Sequence, residues 1–226
     1  MSQRLYTADE VVAMARRTYR EGRATFELDP KRSVLLTIDM QDEFVRPGWT
    51  AYWVPEATRI VPRIARLIAT CRALAIPVIF TAFAQTHHRL DRPAAGAAMP
   101  NRYPFESEEW FKTGRIFDDL KPQPEDIVIL KPSYGAFYDT PLETILHNLG
   151  RNTIIICGTL TNFCCGTTAR QGFERGFRVV VGSDVTATDD PEMQEPELQV
   201  LRKGFALVLS ADEIESRLRG LRKESV

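Results

Sequence analysis

The chain has 226 residues, 44% of them apolar and 26% charged, and its 29 basic and 30 acidic side chains leave a net charge of −1. This favours one soluble domain with a substantial core and excludes a field strong enough to seek nucleic acid or an anionic membrane. The polar start Met1–Thr7 has no signal-peptide core. The longest apolar run, Ala75–Ala84 broken by Pro77, falls far short of the roughly 20 residues of a membrane span. Four cysteines, two of them adjacent, make no disulfide framework, so a reducing cytoplasm is expected.

Thr7-Ala8-Asp9-Glu10 matches a capping box, and Val11, Val12, Ala15 and Tyr19 form a stripe that Gly22 ends, so residues 7–22 are predicted to be an amphipathic helix. It precedes the core pattern. Residues 1–32 are therefore expected to be an N-terminal helical extension, packed on the domain or on a neighbouring subunit, and residues 33–226 the domain itself. A strand is expected over Ser33–Asp39, a helix over Pro55–Ala73 and a second strand over Pro77–Phe83. Residues 84–125 read mostly as long loops. A strand over Asp126–Leu130 and a helix over Thr140–Leu149 follow, then a strand over Thr153–Cys157 and a helix over Thr161–Arg175. Strand Arg178–Val181, helix Glu192–Lys203 and strand Phe205–Leu209 complete the alternation. Ser210-Ala211-Asp212-Glu213, a second capping box, opens a last helix.

Six short, nearly all-apolar strands alternating with helices predict an α/β fold, a doubly wound parallel sheet with helices on both faces. In the order 3-2-1-4-5-6, strands 1 and 4 are neighbours at the switch point, where ligands bind beyond the carboxyl ends. Asp39, Lys131 and Cys164 all fall just past strand ends and converge on that edge. A thiol in a strand-to-helix turn faces the positive end of a helix, which favours the thiolate. A carboxylate beside it can act as general base, and a buried ammonium would hold that carboxylate in place. This set suffices for acyl transfer through a thioester.

Three stretches carry a resemblance. They are Leu36-Thr37-Ile38-Asp39-Met40-Gln41-Asp42-Glu43-Phe44, Lys131-Pro132-Ser133-Tyr134-Gly135-Ala136-Phe137, and Gly158-Thr159-Leu160-Thr161-Asn162-Phe163-Cys164-Cys165. With Gly176–Asp184 they resemble, in order, the isochorismatase-like cysteine hydrolases. The resemblance implies a Rossmann-like six-stranded fold, Asp39 as general base, Lys131 as its partner and Cys164 as nucleophile. It also implies an oxyanion hole from the N–H groups of Leu160 and Cys164, with a cis peptide between Thr159 and Leu160. The activity it implies is hydrolysis of an amide, lactam or ureido C–N bond of a small molecule, without cofactor, by a homodimer or homotetramer. Thr161–Arg175 and Ser183–Asp190 are similar to streptothricin hydrolase-like members, which open a lactam. There are departures. Where nicotinamidases place metal-binding Asp and His residues, this chain has Gln85, His87 and His88, so no catalytic metal is expected. Gly135 stands where many members have Ser.

Other readings stay open on the residues alone. Cys165 is the rival nucleophile, because adjacent helix positions point about 100° apart and only one can face the pocket. Cys71 and Cys157 read as core. Asp42 competes with Asp39, and Lys131 by itself reads as a solvated lysine. Phe44, Gln85, Phe137 and Trp49 are the candidate substrate contacts. Trp49, Trp53, Trp110, Phe111 and Phe137 are candidates to line the pocket, and aromatics near loops are also ordinary core or subunit-contact residues. An alternative activity is vinyl-ether hydrolysis of an isochorismate-like diacid with Asp39 as acid, for which Arg46, Arg89, Arg92, Arg102 and Arg115 offer positive charge. A third is a non-catalytic binding domain that kept the fold.

Overall fold

The computed structural model describes residues 5–95 and 109–220. Six parallel strands form one sheet in the order β3-β2-β1-β4-β5-β6, built from β1 (Ser33–Ile38), β2 (Val78–Phe83), β3 (Ile127–Lys131), β4 (Thr153–Thr159), β5 (Arg178–Ala187) and β6 (Leu207–Leu209). β1 is buried along its whole length because both faces are covered. Leu35 points into a core shared with Ile60, Ile64 and Leu67 of α3 (Pro55–Ala73) and Ile214 and Leu218 of α7 (Ala211–Leu218). Val34, Leu36 and Ile38 point the other way. They meet Leu142 and Leu146 of α4 (Leu142–Asn148), Ala169 of α5 (Gly166–Glu174), and Leu198 and Leu201 of α6 (Gln194–Gly204). Successive strand residues alternate sides, so a strand buried on both faces reads as a continuous apolar run.

α1 (Ala8–Glu21) carries the expected capping box at Thr7 and Glu10 and stops at Gly22. It buries none of its own residues and rests on α6, where the Lys203 ammonium lies 3.9 Å from the Tyr19 ring centroid. Among the described residues no helix is long and apolar enough to cross a membrane.

Three elements differ from expectation. A short α2 (Asp42–Val45) follows β1 directly. β5 runs six residues beyond Val181 to Ala187, with a register shift opposite Ile156–Gly158. Beyond Val181 the strand continues through a bulge, closed by the Thr186 hydroxyl donating to Gly182 O at 2.8 Å. The helix after β4 begins with a π-helical turn, Thr161–Cys165, before α5. Part of the 84–125 loop region, including Arg102, and the two chain ends lie outside the described residues.

Candidate active site

β1 and β4 pair to Ile38 and Gly158, so the chain turns out of both strands at the same level of the sheet. Asp39 is the first residue past β1 and is fully buried, with φ 51°. Asp tolerates this left-handed conformation better than most residues. The turn aims its carboxylate along the sheet edge. The Thr81 hydroxyl of β2 donates to Asp39 Oδ1 at 3.0 Å, and Asp39 N–H donates to Thr81 O at 3.0 Å. Lys131 ends β3, two strands away. Its Nζ lies over the Phe83 ring, 5.4 Å from the centroid. Nζ reaches Asp39 Oδ2 at 2.7 Å and donates to Ser133 O at 2.8 Å. Neither side chain of this ion pair is exposed at all.

Gly158 permits the approach of β4 to β1. Its φ is +121°, and a Cβ there would stand 2.0 Å from Ile38 O. The peptide Thr159–Leu160 is cis. Leu160 O then accepts from Phe163 N–H at 3.2 Å and from Cys165 N–H at 3.0 Å, the two residues flanking Cys164. That i→i+5 bond makes the turn a π-bulge, a feature common at functional sites. Downstream, the Thr168 hydroxyl donates to Cys164 O at 2.7 Å and accepts from Ala136 N–H at 3.0 Å, tying the loop after β3 to the nucleophile turn.

The structure brings Cys164 together with Asp39 and Lys131, the two charged groups that act on its thiol. Cys165 is fully buried and feels the pair only through space. Burial pushes the Cys164 thiol up to about 12. Lys131 works against this shift and Asp39 adds to it. The expected thiolate at a helix start is thus corrected: the resting thiol keeps its proton, because the desolvation of a sealed site outweighs the nearby ammonium. Burial also acts to lower the Lys131 pKa, but Asp39 and Cys164 oppose it and the net direction is up, so Lys131 stays charged.

The candidate substrate contacts disperse. Phe137 lies in the core, its ring 5.7 Å from Phe177 with the Arg175 guanidinium 5.2 Å from its centroid. Its place in the motif sends the chain inward beneath α5, and it is a packing residue. Trp49 is 41% exposed, stacked under Arg46 at 5.1 Å. Phe44 is buried against Phe111, 5.3 Å between centroids. Gln85 donates through its amide to Trp110 O at 3.1 Å, and its N–H to Phe111 O at 2.8 Å. Phe44, Gln85, Trp110 and Phe111 are therefore joined into one wall, with Phe83, whose ring lies under Lys131 Nζ, 5.4 Å from Phe111. Trp53 instead donates to the Thr58 hydroxyl at 2.9 Å at the start of α3.

Sequence reasoning left Gln41 and Glu43 without roles. Gln41 accepts from Phe83 N–H at 2.8 Å and donates to Phe83 O at 3.0 Å and Glu43 Oε2 at 2.8 Å. Glu43 Oε1 in turn accepts Phe111 N–H at 2.7 Å. The two side chains fasten the aromatic wall to β2. Polar residues in the turn right after a buried strand were the available signal. Asp42 pairs with Arg46 at 2.8 Å, away from Cys164. Phe163 and Tyr134, half-exposed and 5.5 Å apart, stand beside the nucleophile turn.

Arg115 is occupied by Asp118 at 2.7 Å. His87 Nδ1 lies 2.8 Å from Asp91 Oδ2 and its pKa is raised, chiefly by that hydrogen bond. His147 stacks on Phe177, 5.7 Å between centroids. Among the described residues no three His, Cys, Asp or Glu side chains gather as metal ligands.

The isochorismatase domain model matches residues 33–213 of this chain. Ureidoacrylate amidohydrolase RutB of Methylobacterium radiotolerans is 32% identical over 184 residues, 73% of this chain and 70% of that protein. Nicotinamidase 3 of Arabidopsis thaliana is 31% identical over 209 residues, 87% of this chain and 94% of that one. The crystal structure of a cysteine hydrolase from Pseudomonas syringae superposes with a TM-score of 0.77 at 28% identity, covering 88% of this chain and 97% of the other. N-carbamoylsarcosine amidase from Thermoplasma acidophilum gives 0.65 at 27% identity, covering 81% and 99%.

Proposed function

The chain belongs to the isochorismatase family, and from that premise we propose that it is a cysteine hydrolase cleaving the amide or ureido C–N bond of a small molecule. The observation that carries this reading is the fully buried Asp39–Lys131 ion pair, 2.7 Å long, whose charges act directly on the buried Cys164 thiol. A buried pair is weak stabilisation and needs another reason to be kept. Acyl transfer supplies one. A thiol held protonated needs a base at contact distance, and Asp39 provides it, anchored by Lys131 and Thr81.

In this mechanism Asp39 takes the Sγ proton as the sulfur attacks the substrate carbonyl carbon. The carbonyl oxygen becomes an oxyanion on the N–H groups of Leu160 and Cys164. Asp39 then returns the proton to the departing nitrogen, the C–N bond breaks, and a thioester remains on Cys164. Water, deprotonated by Asp39, attacks the thioester; the free thiol re-forms and the carboxylic or carbamic acid leaves. Phe44, Gln85 and Phe111 wall the substrate. The relatives point to ureido acids, primary amides and N-carbamoyl compounds as classes to try, and the nucleophile-helix resemblance adds lactams. A reducing cytoplasm, supported by four buried free cysteines, and a homodimeric or homotetrameric assembly belong to the same reading.

The test is ammonia or amine release from ureidoacrylate, nicotinamide, an N-carbamoyl amino acid and a lactam. Wild type is run beside Cys164→Ala, with and without EDTA. Release that Cys164→Ala loses and EDTA leaves unchanged supports the proposal. Release that persists in Cys164→Ala, or isochorismate consumed equally by both proteins with no amide cleaved, refutes it.

A further inference from the structure

At the amino ends of β5 and β6, the edge of the sheet opposite Cys164, the stretch after α1 closes over a cleft of ≈ 390 Å³. Its cations are Arg23 from that stretch, Arg178 from the start of β5, and Arg202 and Lys203 from the end of α6. Its apolar walls are the rings of Phe26, Phe173, Phe177 and Phe205, and among the described residues no Asp or Glu lines it. Phe173 and Phe205 meet edge to face at 5.5 Å, and Phe173 is 48% exposed.

The cations are incompletely compensated. Arg202 donates to Glu195 Oε1 at 3.1 Å and to Tyr19 O at 3.4 Å. Arg178 has the Phe26 ring 5.8 Å away, and Lys203 has Tyr19. Among the described residues, no carboxylate pairs with Arg23, Arg178 or Lys203. Four positive side chains around one concavity raise its potential, and low-dielectric aromatic walls focus it. The exposed aromatic surface gains by covering with a flat ring. The volume lies within the usual range of small-molecule sites, roughly 300–1,000 Å³.

We propose that this cleft is a second ligand site, separate from the catalytic one, for a planar aromatic molecule bearing two or more negative charges. The ring packs on Phe173 and Phe205 and the anionic groups meet Arg23, Arg178 and Arg202. A ligand there joins the segment after α1 to the corners entering β5 and β6, elements that carry none of the catalytic residues.

Two kinds of molecule share this chemistry, nucleotides and aromatic polycarboxylates, so AMP and isophthalate are the two probes. Binding is measured by titration calorimetry on full-length Cys164→Ala protein at low and moderate salt, with adenosine and inorganic phosphate testing each half of the recognition. The expected result is one site per chain for AMP, isophthalate or both, with adenosine and phosphate each weaker by about tenfold or more and affinity falling with salt. Arg23→Ser with Arg178→Ser, both exposed, should weaken that site by about tenfold or more while the melting temperature holds. The same pair of changes in a chain with Cys164 intact should leave hydrolysis unchanged. The proposal is overturned if neither probe binds, if the double variant binds them equally, or if phosphate alone binds as well as AMP. It is also overturned if Arg178→Glu splits a wild-type oligomer, since a second copy would then cover this face.

Discussion

At the residue scale the chemistry depends on which of two neighbouring thiols touches the ion pair. Lys131 and Asp39 act on the Cys164 thiol more strongly than anything except burial, whereas Lys131 is the weakest influence on Cys165. Cys164→Ala should therefore cut turnover by about 10³-fold or more, while Cys165→Ala keeps it within about tenfold; a panel of initial rates decides, and the reverse order would reassign the nucleophile. The ion pair makes a separate prediction. Lys131→Met leaves the Asp39 carboxylate buried and unpaired, which costs roughly 3–5 kcal/mol of stability. Adding Asp39→Asn removes that charge, so the double variant should regain much of the urea midpoint and none of the activity. A double variant as unstable as the single would mean that Lys131 acts mainly through packing. Cys164, Asp39 and Lys131 were legible because each lies at or beyond the carboxyl end of an apolar run. Phe137 was not, since a motif position does not reveal which way its ring turns.

At the element scale the site depends on how closely β4 approaches β1. Gly158 and Gly176 both have positive φ, but only at Gly158 would a Cβ meet backbone, 2.0 Å from Ile38 O; around Gly176 there is open space. Gly158→Ala should cost about 3 kcal/mol or more and abolish activity by moving the Thr159–Cys165 turn, whereas Gly176→Ala should cost about 1 kcal/mol and leave turnover intact. Chemical denaturation with parallel assays separates them, and equal costs would show that backbone conformation alone matters. The π-bulge at Thr161–Cys165 and the bulge in β5 were illegible for a common reason. Both are closed by a short-range hydrogen bond that departs from the helix or strand pattern, Cys165 N–H to Leu160 O and the Thr186 hydroxyl to Gly182 O, so periodicity does not mark them.

At the scale of the whole molecule, four buried thiols couple stability to alkaline pH. Burial raises Cys71, Cys157 and Cys164 from an ordinary value near 9 to about 12, and Cys165 well above its ordinary value. Between those limits the unfolded chain has given up these protons and the folded chain has not. The stabilisation is complete below pH 9 and is lost as pH rises toward 12, by up to about 1.4 kcal/mol per pH unit for each thiol. Melting temperatures from pH 8 to 11 should fall more steeply for wild type than for Cys71→Ala with Cys157→Ala, each compared with its own value at pH 8. Parallel curves would place the alkaline sensitivity in other groups.

What the sequence determined by itself was the order and kind of the elements, and through them the fold. Apolar runs such as Val34–Ile38 and Ile154–Ile156, capping boxes at Thr7 and Ser210, and the glycine after α1 are local signals, and local hydrogen bonding and burial obey them. The strand ends also marked where Asp39, Lys131 and Cys164 would meet, because a parallel sheet brings its carboxyl ends to one edge. Only the tertiary structure decided the protonation of Cys164, the burial of Phe137, the fastening of Phe111 by Glu43 and the cationic cleft at the far edge. Each depends on groups that lie far apart in the chain. Desolvation, ion pairing and ring packing act through space, so they take their values only once the sheet and its helices have closed.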